Sequence, residues 1–254
     1  MSFSQEVLQQ LEEEYLTVSG KHARLLEAYL KRSYNNARER EHAQQGFLRR
    51  LKTLVRCIDK IFEILPPDRI ELPTGEELSD ATINIQAFVI NVFGSIDNLA
   101  WIWVLEKSIE RNDGSPIPDS WVGLRKKNTL VRDSFSPEFQ EYLNGLDEWF
   151  DHLENFRHAV AHRIPLYVPP YVITKNKEAA YRDFEDRKTD ALNRGALEDY
   201  NRLSAEQDAL GVFRPVVTHS FEEGAKSFVL HPQLLADFNT VEELGWKMLE
   251  ELDR

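Results

Sequence analysis

Apolar residues recur at three- and four-residue intervals along most of the chain, the period of an amphipathic α-helix. Val7, Leu8, Leu11, Tyr15, Val18, Leu25, Leu26 and Tyr29 share one face of a stretch over 5–32, with Gly20 as its candidate break. A second helix is predicted over about 36–64, with Phe47, Leu51, Leu54, Val55, Ile58, Ile61 and Phe62 turned inward. Pro66-Pro67 stops it, because proline lacks the N–H and crowds the preceding turn. Arg69 to Gly75 reads as a loop. From Ser79 or Asp80 to about Arg111 the pattern is apolar nearly all the way round, as a central helix should be. Asn84, Gln86, Asn91, Asp97 and Asn98 interrupt that apolar surface. A carboxylate in such surroundings needs a partner. Asp97 is therefore expected to face the helix around 136–163 and to accept hydrogen bonds from Arg157, His158 or His162.

The turn-rich Asn112-Asp113-Gly114-Ser115-Pro116 separates this helix from Ser136-Pro137-Glu138, which combines an N-cap serine, a first-turn proline and an acid. The helix so begun is predicted to run to about Arg163, because Ile164 precedes Pro165 and is pushed out of helical geometry. Pro165, Pro169 and Pro170 make the next segment extended or an edge strand. A polar helix over about 177–210 follows, then a hairpin pairing 212–221 with 227–230 across Glu222-Glu223-Gly224-Ala225. A last helix is expected near Thr240, where Thr240-Val241-Glu242-Glu243 fits a capping box. The fold class is mainly α, with 1–254 as one domain. Residues 1–164 form an up-and-down helical bundle, and 165–254 form an extension carrying the short hairpin and helices.

Composition sharpens the class. At 254 residues and 42% hydrophobic the chain can bury a full core. No stretch reaches the roughly 18 uncharged apolar residues of a membrane span, and Met1-Ser2-Phe3-Ser4-Gln5-Glu6 lacks the basic start and apolar run of a signal peptide. A soluble cytoplasmic protein without membrane contact is the expectation. Cys57 is the only cysteine and lies on an apolar face, which excludes an internal disulfide and a cysteine-based zinc site. The formal charge of −12 argues against coating nucleic acid with the whole surface. Yet residues 21–60 carry eleven basic groups against four acids. That stretch reads as a solvated helix face or as a track for an RNA backbone. The five tryptophans, Trp101 and Trp103 among them, read as core. There is no Gly-rich phosphate loop, no Gly-x-Ser-x-Gly and no kinase set.

Candidate chemistry concentrates in Phe156-Arg157-His158-Ala159-Val160-Ala161-His162-Arg163-Ile164-Pro165. Arg157 supplies a fixed cation and His162 a group that titrates near neutrality, which together can cleave a phosphodiester without a metal. The spacing Arg-polar-x-x-x-His at the close of a helix resembles the signature of the HEPN superfamily of small helical RNases and nucleotide-binding proteins. The resemblance is sharp over about ten residues and covers little else. It implies a homodimer whose two motifs face one cleft, with no cofactor and no metal. The implied reaction is attack of a ribose 2′-OH on the adjacent phosphate, with His162 moving protons and Arg157 stabilising phosphoryl charge. His158, Asp97 and Asn98 would support that site, and Arg163, Tyr167 and Tyr171 would contact the RNA. Bacterial proteins of this type often act as toxins or phage-defence effectors restrained by an antitoxin or regulatory partner.

Two other readings use the same helix. Some proteins of this fold only dimerise or bind a nucleotide. Alternatively, Glu154, His158 and His162 at i, i+4 and i+8 could ligate a metal in the bundle, a site that would need further ligands from other helices. On an ideal helix Arg157 and His162 lie about 140° apart. They border one pocket only if the helix end is distorted or a second copy completes the site. From Glu138 to Glu154 the helix carries six acids and no Lys or Arg, which would repel a phosphate backbone.

Overall fold

Leu11, Val18, Leu25 and Tyr29 bury one stripe of α1, Gln5–Lys31, and Ser4 caps its start by accepting from the Val7 N–H at 3.3 Å. Gly20 does not break it: the helix runs straight through. The computed structural model describes residues 3–220 and 227–254. The next rod comprises α2, Ala37–Glu41, a π-helical turn, His42–Phe47, and α3, Leu48–Ile64. Gly46 lies on the π turn where Asn98 presses in: a Cβ there would fall 2.6 Å from Asn98 Nδ2. Pro66 and Pro67 end the rod where their chemistry requires.

The central helix α4 spans Gly75–Glu106. It starts earlier than its apolar pattern suggests because Thr74 and Glu77 close a reciprocal capping box, and Arg69 grips both Glu77 oxygens at 2.8 Å. It ends before Arg111 as the chain turns at Ser108, φ 49°. By length and composition α4 could cross a membrane, but 61% of its most apolar window is buried inside the fold. It packs against α3, the π turn and, from the far end of the chain, α10, Leu230–Leu252, which also lies along α1 and α3. The bundle thus includes the last helix, and the appendage is confined to the residues between 165 and 229.

The predicted helix over 136–163 is two. Residues Thr129–Arg132 form a short α5, Pro137–Gly145 form α6, and Asp147–His162 form α7, with the break at Leu146. Ser136 and Pro137 start α6 as expected, and Glu251 of α10 additionally takes the Ser136 N–H and hydroxyl at 2.6 and 2.8 Å. The polar helix over 177–210 also divides, into α8, Glu178–Asn193, and α9, Leu197–Asp208, around Gly195 at φ +68°. Residues 165–173 are extended, with bridges Tyr167 to Thr218 and Val172 to Val212. The hairpin exists as two short strands, β1, Val216–Val217, and β2, Phe228–Val229, paired antiparallel in the register Val216 to Val229. Its turn, Glu222 to Ala225, lies outside the described residues.

The start of α10 is ten residues earlier than the Thr240 capping box indicates. Leu230, His231, Leu234, Leu235 and Phe238 are buried, so tertiary packing sets the boundary. Thr240 instead bonds back to the Ala236 carbonyl at 2.9 Å.

Candidate functional site

The inner stripe of α7, Phe150, Leu153, Phe156 and Ala159, seats the motif helix on α4. A hydrogen bond from Trp149 Nε1 to Asp237 Oδ1 at 2.8 Å ties its first turn to α10. From Asp147 to His162 the helix is regular, and its last link, Arg163 N–H to the Ala159 carbonyl, is 3.2 Å long. The chain then leaves helical geometry at Arg163, before Ile164-Pro165. Arg157 and His162 therefore keep the separation of about 140° that an undistorted helix imposes.

Arg157 turns toward α4, where its guanidinium carbon lies 4.7 Å from the centre of the Phe93 ring. Arg125, from the loop before α5, contacts the same ring at 5.1 Å. Such stacking fixes a guanidinium through the ring quadrupole and leaves its N–H edges open. Among the described residues Arg157, half-buried, makes no ion pair within 4 Å and no side-chain hydrogen bond.

One turn beyond Phe93 stands Asp97, mostly buried. Burial pushes its carboxyl above the ordinary range, against the pull of Arg125, Arg157, Arg50 and Lys127. The expectation that Asp97 would accept hydrogen bonds from Arg157, His158 or His162 is not met: its carboxylate makes no such bond. The reason is geometric, since Phe93 holds Arg157, and the two histidines lie on the outer face of α7. Asp97 acts instead as the shared counter-charge of a cationic cluster.

Arg50 closes the other side. Its guanidinium lies across Gly94, donating from Nε to Asn98 Oδ1 and from an NH group to Asn91 Oδ1, both at 3.1 Å. A Cβ on Gly94 would stand 2.4 Å from the guanidinium carbon, so glycine is what admits this approach. Asn98 Nδ2 meets His42 Nδ1 at 3.3 Å. Trp101 is half-exposed rather than fully core, stacked with His42 at 5.3 Å and with Arg38 at 4.7 Å. Trp103 is buried and bonds Ser134.

Two acids of the motif region, Glu154 and Asp147, are answered by residues the linear pattern does not connect with them. Glu154 is bonded by Arg125 and, at 2.9 Å, by Lys127. Burial opposes its ionisation, but those two bonds outweigh it and bring its carboxyl down to about 2. Asp147 pairs with Arg132 at 2.6 Å and Lys126 at 3.6 Å. The segment Arg125-Lys126-Lys127, between Pro116 and Ser136, thus supplies positive charge that the motif helix lacks over 138–154.

His158 and His162 are exposed, their ring centres 6.1 Å apart and nearly perpendicular. Glu154 reaches His158 Nε2 only at 3.9 Å. Among the described residues no group of three His, Cys, Asp or Glu gathers to hold a metal, and the Glu154-His158-His162 set does not converge. Its carboxylate is committed to two cations that would repel a metal ion. Arg163 folds back on Asn155, bonding its carbonyl at 3.1 Å. Tyr167 is held through its backbone to Thr218, and Tyr171 packs across Gly211 in the appendage. Burial, then bonds with Tyr181 and Asp208, raise the Tyr171 phenol. Arg157, Asp97 and Asn98 are therefore brought to one region of α4, while Tyr167 and Tyr171 serve the packing of the appendage. Phe93, Arg125 and Lys127 were not legible as site residues, the basic triplet being the one local signal for the latter two, and Arg50 was marked only as one of the eleven basic groups of residues 21–60. Comparison of the chain with protein-family models, curated proteins and solved structures returns no match in any of the three.

Proposed function

We propose that the protein is a metal-independent endoribonuclease of the HEPN type. The observation that carries this reading is Arg157: a guanidinium clamped on Phe93, unpaired among the described residues, within a cluster of four cations and two carboxylates on a chain of net charge −12. A phosphodiester is the anion such a site would take. Arg157 would bind the non-bridging oxygens. The 2′-oxygen would attack phosphorus as its proton passes to a base, and the 5′-oxygen would leave with a proton from the acid, giving a 2′,3′-cyclic phosphate. His162 is the residue proposed to move those protons.

Because α7 is regular to its end, one copy does not bring Arg157 and His162 to a common face. The reading therefore includes a homodimer in which His162 of one copy serves Arg157 of the other. Ile83 and Ile90, 64% and 36% exposed on α4, would lie under such an interface. The divergence of Arg157 and His162 within one chain equally favours a second reading, a non-catalytic module that binds a nucleotide or pairs two copies. RNA incubated with the protein in EDTA separates them. The nuclease reading predicts products ending in 2′,3′-cyclic phosphate from a protein that light scattering shows to be a dimer. A dimer inert on every RNA tried selects the non-catalytic module. A toxin or phage-defence role under an antitoxin or regulatory protein in the cytoplasm belongs to the nuclease reading.

A further inference from the structure

The α1–α3 side of the molecule carries an open groove of about 1250 Å³, remote in sequence from the motif. Its walls are the first half of α1 and the second half of α3, and its end is closed by the loop after α3. Tyr15 and Phe62 form the floor, stacked face to face at 4.4 Å and 8°. Leu8, Pro66, Pro67 and Ile70 extend this apolar surface, and Ile70 is 62% exposed. Around it stand Glu6, Glu12, Asp59, Glu63 and Asp68, against Arg56 alone among the lining residues. Lys60 offsets Glu63 at 2.6 Å, and Asp59 accepts the Tyr15 hydroxyl at 3.1 Å. Glu6, Glu12 and Asp68 are exposed carboxylates with no ion pair among the described residues.

We infer that this groove docks a basic amphipathic helix of a partner protein. The volume exceeds the roughly 300–1,000 Å³ of small-ligand sites. The wall from Gln5 to Tyr15 is about 15 Å long, enough for two to three turns of an antiparallel helix. An apolar floor takes residues at i, i+3, i+4 and i+7, and a rim of one sign takes flanking charges of the other. The acidic rim excludes an RNA backbone, so this surface is separate from the cationic cluster on α4 and does not depend on the nuclease reading.

The test is fluorescence anisotropy with a labelled peptide of about 16 residues, leucine on one helical face and arginine on its flanks. A control of the same composition has its leucines dispersed around the helix. The patterned peptide should bind at least about tenfold tighter than the control, since burying even one large apolar side chain is worth about 1.5–3 kcal/mol. Ile70→Ser, which leaves the net charge unchanged and alters an exposed position, should weaken it about tenfold. The pair Glu12→Lys and Asp68→Lys should weaken it further and flatten its salt dependence. Equal affinity for the two peptides, or indifference to Ile70→Ser, would mean diffuse attraction to an acidic protein and would overturn the inference. So would absence of saturation at roughly 100 μM peptide, an affinity of only about −5.5 kcal/mol. A dimer that Ile70→Ser dissociates would assign the groove to a second copy and overturn it equally.

Discussion

Replacing Asp237 by asparagine should stabilise the protein near neutral pH and remove part of its pH dependence. Asp237 lies within α10, fully enclosed, and its Oδ1 accepts both Trp149 Nε1 and Gln233 Nε2 at 2.8 Å. Burial pushes the carboxyl up from 3.8 to about 6, and the two hydrogen bonds only partly offset it. Asparagine keeps an oxygen where both donors point and places an amide where the acid carries its proton, so it mimics the protonated form. Since the folded pKa exceeds that of the unfolded chain, the folded state holds a proton that the unfolded chain releases. Stability from this group is therefore present below about 4 and lost as pH rises to about 6. The shift from 3.8 to about 6 corresponds to about 3 kcal/mol. His231, lowered by burial to about 4, works in the opposite direction over the same range and masks the effect in the wild-type profile alone. The variant-minus-wild-type difference cancels that background. Urea unfolding followed by tryptophan fluorescence should show the two proteins within about 1 kcal/mol at pH 4, and Asp237→Asn ahead by about 3 kcal/mol at pH 7. A pH-independent difference, or a less stable variant at pH 7, would refute the reasoning.

Three further outcomes follow from the site. Gly94→Ala places a Cβ against the Arg50 guanidinium; losing two hydrogen bonds costs about 1–3 kcal/mol while helix propensity returns about 1, so melting should shift little and RNA affinity should fall. Unchanged RNA binding in a filter assay would remove Arg50 from the site. Arg125→Ala with Lys127→Ala frees Glu154, whose carboxyl stands below its ordinary value, so the stability it gains is present above about 4.5 and lost as pH falls toward 2. Chemical denaturation should show the double variant weaker than wild type at pH 7 and closer to it at pH 3; a gap that widens at pH 3 contradicts the pairing. Phe93→Ala removes a buried ring and the platform of two guanidiniums, costing about 3–5 kcal/mol by calorimetry, whereas a cost under 1 would show the ring to be marginal.

What was legible in the sequence followed the range of the forces. α1, the α2–α3 rod, the proline stop at 66 and the Ser136-Pro137 start depend on residues within a turn or two of each other, and periodicity exposes them. The Leu146 break divides a stretch whose apolar pattern continues across it, and α10 begins at Leu230 because burial against α1 and α4 outweighs the local cap at Thr240. The cationic cluster is longer-ranged still. Arg50, Arg125 and Arg157 come from three segments and meet on α4 only after the bundle closes. Asp97 was recognisable as a carboxylate needing compensation; that the compensation is shared among four cations at a distance was not.

The central claim is that Arg157 and His162 from paired copies form one phosphodiester-cleaving site. The most direct measurement is RNA cleavage in EDTA by wild type, Arg157→Ala, His162→Ala and a refolded mixture of the two variants. Each single variant should lose about 10²-fold or more while keeping the wild-type melting curve. The mixture should recover a substantial fraction of activity, because mixed dimers carry one intact Arg157 and His162 pair across the interface. Variants that cleave RNA as wild type does, or a mixture as inactive as its components, would contradict the account.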